Sequence, residues 1–408
     1  MIMQRGRVVI VGAGQAGGWV AKALRDNGYR GPISLIGNES YPPYERPPLS
    51  KGILSGEVDT PSTYIWTRDQ LEELGIDLRL SVEVERVSCS SKMVSLSSGE
   101  AIHYEKLVLA TGGAPRALSI PGTDLKNVNM LRDINDAVRI RENINSGKSL
   151  VVIGGGWIGL EVAASAKKMG VDVTVIEASD RLCSRAAPSA LSDYLIKKHG
   201  DNGVEVMLLS NASALTGVDE VSGLKLSNGK TVAAGAVVIG IGITPNTGLA
   251  KMAGLEVDDG ILVDDFGRTS DRDILAAGDV ARHHNPYSGG SVRLESWENA
   301  QNQAIAVAEV ICGAPRPYNY VPWFWSDQYE NNIQVVGFPD DKYQQVVRGS
   351  AGSSGSVRFY IENGIVRGAF AIDAGRDIKI TKRLIQNSVR VDSNLLSDPE
   401  SKLQRLIA

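Results

Sequence analysis

The chain has 408 residues, of which 43% are hydrophobic and 22% charged. That balance belongs to a soluble globular protein, and the length exceeds one ordinary core, so two or three domains are expected. A formal net charge of −4 argues against nucleic acid as a partner. Cys89, Cys183 and Cys312 lie far apart in the sequence, which excludes a disulfide framework and points to a reducing, cytoplasmic setting.

The first predicted element is the apolar strand Arg7 to Val11, which ends in Gly12-Ala13-Gly14-Gln15-Ala16-Gly17 and leads into a helical stretch carrying Ala21 and Leu24. It is short and glycine-interrupted, so it reads as a strand rather than a signal peptide. In Gly-x-Gly-x-x-Gly the first glycine permits the tight turn, the second lets backbone approach a pyrophosphate, and the third packs helix on strand. A second strand, Ile33 to Gly37, ends beside Glu39, about 20 residues past the last glycine, where a carboxylate for a ribose hydroxyl is expected. The following Tyr41 to Lys51 holds four prolines and is predicted as an ordered, non-helical loop that presents Arg46 and Lys51 from a stiff support. Either it is a solvated surface loop, or its two cations face something anionic.

Met93 to Leu96 and Ile102 to Tyr104 form a predicted hairpin through Ser98-Gly99. Lys106 to Leu109 is another apolar strand, ending Ala110-Thr111-Gly112. A strand ending in glycine and returning to the same sheet brings backbone close to a ligand held by the first turn. The opening pattern then recurs. Leu150 to Ile153 leads into Gly154-Gly155-Gly156-Trp157-Ile158-Gly159, a helix follows, and the strand Val171 to Ile176 ends at Glu177. A hairpin around Asn228-Gly229 and a strand ending Val237-Val238-Ile239-Gly240-Ile241-Gly242 complete this half. The longest apolar stretch, Val232 to Ile243, is far below a membrane span. An internal duplication is the natural explanation of the two halves. Two dinucleotide folds with both acids in place imply two adenine dinucleotides held face to face, and FAD with NAD(P)H is the pair whose chemistry is hydride transfer.

Beyond Thr244-Pro245-Asn246, Asp273 to Val280 is a short strand with a terminal Gly278-Asp279. Asp279 can accept from a sugar-alcohol hydroxyl of FAD, or cap the helix that follows. Glu298 to Ile311 is predicted helical. The last part carries no glycine fingerprint: Val321-Pro322-Trp323-Phe324-Trp325-Ser326-Asp327-Gln328 opens it, Ile333 to Val336 and Gln344 to Val347 are predicted strands, Asn363-Gly364 signals a type I′ hairpin, and Arg376 to Ile385 reads as a closing helix.

Together these segments resemble the FAD-dependent, NADH-linked ferredoxin reductases of bacterial oxygenase systems, of the putidaredoxin reductase and biphenyl dioxygenase reductase type. The resemblance covers essentially the whole chain. Its most specific pieces are Arg46 to Lys51, Ala110-Thr111-Gly112, Gly154 to Glu161, Ala277-Gly278-Asp279 and Trp325-Ser326-Asp327-Gln328. It implies an α/β, glutathione-reductase-like fold: a Rossmann-like FAD domain (1–112 and 243–320) split around a Rossmann-like NAD domain (113–242), then a C-terminal α+β domain (321–408).

Carried over, the resemblance gives FAD to Gly12, Gly14, Ala16, Gly17 and Glu39 at the first turn, with Arg46, Lys51 and Val84 beyond it. Ala110, Thr111, Gly112, Arg132, Gly278, Asp279, Ser296 and Trp297 would hold the rest of that cofactor. NAD would lie on Gly154, Gly156, Trp157, Ile158 and Gly159, with Glu177, Arg185 and Gly242 around it. Lys51 and Glu161 would pair beside the flavin where nicotinamide stacks, and Trp325 would pack between the flavin and a docked ferredoxin. Trp157 departs from the smaller residue or Tyr expected there.

Cysteine placement narrows the reaction. No Cys-x-x-Cys or Cys-x₄-Cys exists, the Tyr41 to Lys51 loop has no sulfur, and three scattered cysteines cannot hold an iron–sulfur cluster. Flavin is then the only redox centre, with no metal. The expectation is a reductase that takes hydride from NADH and passes single electrons to a separate [2Fe–2S] ferredoxin, and through it to a terminal oxygenase or cytochrome P450 of aromatic hydrocarbon catabolism. A rubredoxin reductase, or a redox-sensing flavoprotein of the apoptosis-inducing-factor type, is the alternative. Glu177 favours NADH by repelling a 2′-phosphate, which Arg181 and Arg185 could offset. Arg376, Lys379, Lys382 and Arg383 are candidates for a basic ferredoxin-docking patch.

Overall fold

A computed structural model describes residues 6–145 and 149–407, and these divide into two compact units. The first comprises residues up to Arg46, Pro61–Ala114 and Thr244–Pro322; the second comprises Pro47–Thr60, Pro115–Ile243 and residues from Trp323 onward.

In the first unit Val8–Val11 is the middle strand of a five-stranded parallel sheet, ordered Ile274–Ala276, Lys106–Leu109, Val8–Val11, Ile33–Ile36, Ile76–Arg79. Its four residues are all buried. Val8 and Ile10 join a core with Leu24 and Val307, from the helices Gln15–Asp26 and Trp297–Cys312. Val9 and Val11 face the opposite core, with Val87, Val94 and Ile102 of a three-stranded antiparallel sheet. A strand covered on both faces must be apolar throughout, which is why this one shows no alternation.

The second unit repeats the plan. Its parallel sheet runs Glu205–Met207, Val173–Ile176, Leu150–Ile153, Ala236–Ile239, Val128–Met130. Leu150 and Val152 enter one core, Val151 and Ile153 another. The fifth strand is where the halves differ: in the first unit it follows the closing strand in sequence, in the second it precedes the glycine turn. A five-stranded antiparallel sheet, ordered Trp323–Gln328, Asn331–Gly337, Ile365–Ile372, Ser356–Glu362, Gln344–Arg348, carries the helix Gly375–Gln386. Its Ile333, Val335 and Phe370 share a core with Leu160, Val162 and Leu191. Asn363 and Gly364 have φ of 51° and 77°, the two left-handed residues a type I′ turn requires.

Two local expectations change. The Tyr41 to Lys51 segment is not free of helix, because Pro47–Ser50 winds into a 3₁₀ turn, and a short α-helical turn, Gly52–Ser55, follows directly after the segment; Pro47 presets the φ that a 3₁₀ turn uses. The helix at Arg376 to Ile385 does not close the chain, since the short helices Ser393–Ser397 and Leu403–Leu406 follow.

Candidate active site

The first glycine turn is built so that two glycines serve the protein and one is left open. A Cβ on Gly12 (φ +109°) would lie 2.1 Å from the Ala110 carbonyl oxygen, and one on Gly17 would lie 1.8 Å from the Gly12 carbonyl oxygen. A Cβ on Gly14 would meet only Arg46 Nη2, at 3.7 Å. Gly14 caps the helix Gln15–Asp26 without a side-chain acceptor, and the first helical turn holds no acid. Both amide atoms of Gln15 are buried without a hydrogen-bond partner. An open backbone, a bare positive helix end and an orphaned amide together fit a dinucleotide diphosphate.

Around that turn Glu39 accepts from Tyr44 Oη at 2.5 Å and from Arg46 Nη2 at 2.6 Å. Burial opposes the Arg46 charge, but Tyr44 and Glu39 outweigh it and push the guanidinium pKa up. Thr111 donates to the Asn246 carbonyl at 2.8 Å, and the Asn246 N–H donates to the Gly112 carbonyl at 2.9 Å. Gly278 (φ +81°) has no room for a side chain, since a Cβ would sit 2.8 Å from Ala16 Cβ. Its N–H donates to Gln303 Oε1 at 2.8 Å. Ser296, rather than Asp279, caps the helix Trp297–Cys312, accepting from the Asn299 N–H. Val84 is buried at the start of its strand. The first unit thus holds all the expected FAD residues except Lys51, Arg132 and Trp325, which belong to the second; there the Arg132 N–H donates to Asp136 at 2.9 Å.

The second turn repeats the first. A Cβ on Gly154 (φ +110°) would lie 2.4 Å from the Gly240 carbonyl oxygen, one on Gly159 would lie 2.2 Å from that of Gly154, and one on Gly156 would meet nothing within 4 Å. The helix Trp157–Lys168 starts from Gly156 with no side-chain cap and no acid in its first turn. Glu177 is anchored to this turn: its carboxylate accepts the Gly155 N–H and the Ser179 N–H, each at 2.7 Å. Arg181 donates to the Ala187 and Ser184 carbonyls, so it braces its own loop. Arg185 is exposed, with Nη2 2.8 Å from the place a Cβ on Gly242 would occupy. Ile158 is exposed, and Trp157 packs edge-on against Phe324 with ring centroids 5.0 Å apart.

Glu161 lies one helical turn beyond Trp157 and is only 4% exposed. A carboxylate that deep is tolerable only when it is paired and hydrogen-bonded. It has a full set of partners: Lys51 Nζ at 2.7 Å, Ser50 Oγ at 2.5 Å and Ser326 Oγ at 2.6 Å. The Pro47–Ser50 turn aims Ser50 and Lys51 at it, while Ser326 comes from the C-terminal sheet. The sequence pairs Lys51 with Glu161 only through the resemblance, and nothing in it points to the two serines. Trp325 stacks on Trp323 (5.2 Å, 22°) and donates its indole N–H to Asp327 at 3.1 Å. Among the described residues no group of His, Cys, Asp and Glu is placed to hold a metal ion, and no helix is long and apolar enough to cross a membrane.

Two glycine-turn dinucleotide cradles on parallel sheets, followed by an antiparallel sheet bearing one helix, define the class. The chain belongs to the pyridine nucleotide-disulphide oxidoreductase family, whose model matches residues 6–304, and residues 323–407 match the reductase C-terminal domain. It is 40% identical to the ferredoxin–NAD(+) reductase component of the p-cumate 2,3-dioxygenase system of Pseudomonas putida, over 98% of each chain. Among solved structures it is similar to putidaredoxin reductase in its covalent complex with putidaredoxin (36% identity, TM-score 0.95, covering 99% of this chain and 98% of that one). It is also similar to the ferredoxin reductase of the CYP199A2 system from Rhodopseudomonas palustris (35%, TM-score 0.94, covering 98% and 100%). None of the three cysteines is in a disulfide, Cys183 donates to the Gly155 carbonyl at 3.5 Å, and burial pushes the Cys183 and Cys89 thiols up, away from reactive thiolate.

Proposed function

We propose that this protein is the cytoplasmic ferredoxin reductase component of a multi-component oxygenase, taking hydride from NADH onto FAD and passing single electrons to a [2Fe–2S] ferredoxin. The observation that carries the reading is the pair of cradles, each with an open middle glycine at an uncapped helix start, together with the buried Lys51–Glu161 pair. FAD, when bound, supplies the step between a two-electron donor and a one-electron acceptor. The chain's own residues bind and orient. The Gly12 to Gly17 turn takes the FAD diphosphate, with Glu39, Asp279 and Thr111 about its sugar and Arg46 as a fixed cation. The Gly154 to Gly159 turn takes the diphosphate of NADH, and Glu177 faces its ribose. Lys51 and Glu161 hold a fixed dipole for the nicotinamide carboxamide, and Trp325 serves the exit of electrons.

The ferredoxin surface we assign to the helix Gly375–Gln386. Ile378, Leu384 and Ile385 are its buried side, while Arg376, Lys379 and Arg383 are exposed. Such a basic face suits a transient, charge-steered encounter with an acidic carrier. The p-cumate 2,3-dioxygenase and CYP199A2 systems named for the relatives support a terminal oxygenase or cytochrome P450 as the final acceptor. The test is NADH-driven reduction of cytochrome c with and without an added [2Fe–2S] ferredoxin. A large dependence on ferredoxin is expected, and equal rates without it would contradict the assignment.

A further inference from the structure

A row of polar side chains continues from Ser326 into the interior of the second unit. Gln328 lies on the same strand, His199 near the end of the helix Ser189–Asp201, and Tyr329 at the turn after the strand. The spacings are hydrogen-bonding throughout: Ser326 Oγ to Glu161 Oε1 2.6 Å, Gln328 Nε2 to Ser326 Oγ 3.0 Å, His199 Nε2 to Gln328 Oε1 2.8 Å, and Tyr329 Oη to His199 Nδ1 3.1 Å. Ser326, Gln328 and His199 are essentially inaccessible to solvent.

Counting protons fixes the direction of the row. The Glu161 carboxylate, paired with Lys51 Nζ at 2.7 Å, accepts the single hydroxyl proton of Ser326. Ser326 Oγ must then accept, and the Gln328 amide nitrogen is the donor in reach. That turns Gln328 Oε1 toward His199, which must carry its proton on Nε2 and leave Nδ1 to accept from Tyr329. Four donors in series point at one carboxylate, an arrangement in which each bond polarises the next. Burial holds the His199 pKa below its ordinary value, with Lys198 adding to the effect and Gln328 opposing it. The neutral ring this favours is the form the row requires. Lys198 is itself paired with Glu330.

We propose that His199 is a positioning residue: through Gln328 and Ser326 it holds Glu161 as an oriented acceptor for the Lys51 ammonium. The consequence for nicotinamide binding rests on the role given to Lys51 and Glu161 above, whereas the orientation of Glu161 does not. The test reads that orientation directly. The purified holoprotein is pulsed with acetic anhydride at fixed pH, and acetylation of Lys51 is quantified by mass spectrometry. In His199→Phe and Gln328→Met, Lys51 should label about fivefold faster, the population change that follows loss of one hydrogen bond. His199→Gln, whose amide can donate to the same acceptor, should return the rate toward that of the parent. Leu195→Ala, a buried position on the same helix, should lower stability without changing Lys51 labelling. Parent-like labelling in Gln328→Met, or equal acceleration in Leu195→Ala, would overturn the proposal, and Gln328→Met decides the matter if His199→Phe does not fold. Faster labelling in a protein that fails to reduce ferredoxin would refute the functional reading alone.

Discussion

Glu177 gives the sharpest prediction about coenzyme choice. Its carboxylate is held by the Gly155 and Ser179 N–H groups at 2.7 Å each, so it cannot swing aside to admit a 2′-phosphate. At an effective dielectric of about 20, unit charges about 5 Å apart repel by roughly 3 kcal/mol. That corresponds to about a hundredfold preference for NADH over NADPH. Arg181 is tied to the Ala187 and Ser184 carbonyls of its own loop, so a reduced preference would come from the exposed Arg185. Glu177→Gln removes the charge and keeps one acceptor oxygen, so the ratio of kcat/KM for the two coenzymes should fall by at least about tenfold. Glu177→Ala additionally loses both backbone anchors, at about 1.5 kcal/mol for each charge-assisted bond, and should lower the urea midpoint as well as the selectivity. A folded Glu177→Gln protein that keeps its discrimination against NADPH would refute the reasoning.

Three further outcomes are expected. Gly14→Ala and Gly156→Ala should leave thermal stability within about 0.5 kcal/mol, because both positions have negative φ, a Cβ on Gly14 would make only an ordinary contact with Arg46, and one on Gly156 would meet nothing within 4 Å. The first should weaken FAD retention on gel filtration and the second should raise KM for NADH. Lys51→Met strands a carboxylate that is 4% exposed and should cost about 3 kcal/mol in urea unfolding, while Lys51→Met combined with Glu161→Leu should recover most of that loss. His283 is buried with both ring nitrogens lacking a hydrogen-bond partner, and burial, partly opposed by Asp265, lowers its pKa from 6.5 to about 4. The unfolded chain therefore binds the extra proton first. Stability is unaffected above about pH 6.5, falls as pH drops toward 4 and levels off below, a total of about 3 kcal/mol at about 1.4 kcal/mol per pH unit. Denaturant unfolding of His283→Phe should lack this component, and parallel pH curves for variant and parent would contradict it.

Much of the fold was legible because the signals are local. Val8–Val11 and Leu150–Ile153 are continuous apolar runs since both faces are covered, the glycine turns sit at their ends, and Asn363-Gly364 spells its own turn. Less could be read where the determinant is a partner distant in sequence. Nothing local to Ser326 shows that its hydroxyl meets Glu161, or that His199 closes on Gln328. The Pro47–Ser50 turn was hidden by a proline density that reads equally as extended backbone. The fifth strand of the second sheet, Val128–Met130, is three residues long and owes its place to pairing with Ala236–Ile239.

A flavin that accepts hydride from NADH and releases electrons singly, without help from sulfur, is the core of the proposed function. Anaerobic stopped-flow tests it most directly: the purified protein is mixed first with one equivalent of NADH and then with two equivalents of oxidised [2Fe–2S] ferredoxin. Bleaching of the flavin band in the first mix, followed in the second by its recovery together with reduction of both ferredoxin equivalents, is the predicted result, unchanged when Cys89, Cys183 and Cys312 are all replaced by serine. A colourless protein that FAD does not turn yellow, or electron transfer that disappears in the cysteine-free variant, would contradict it.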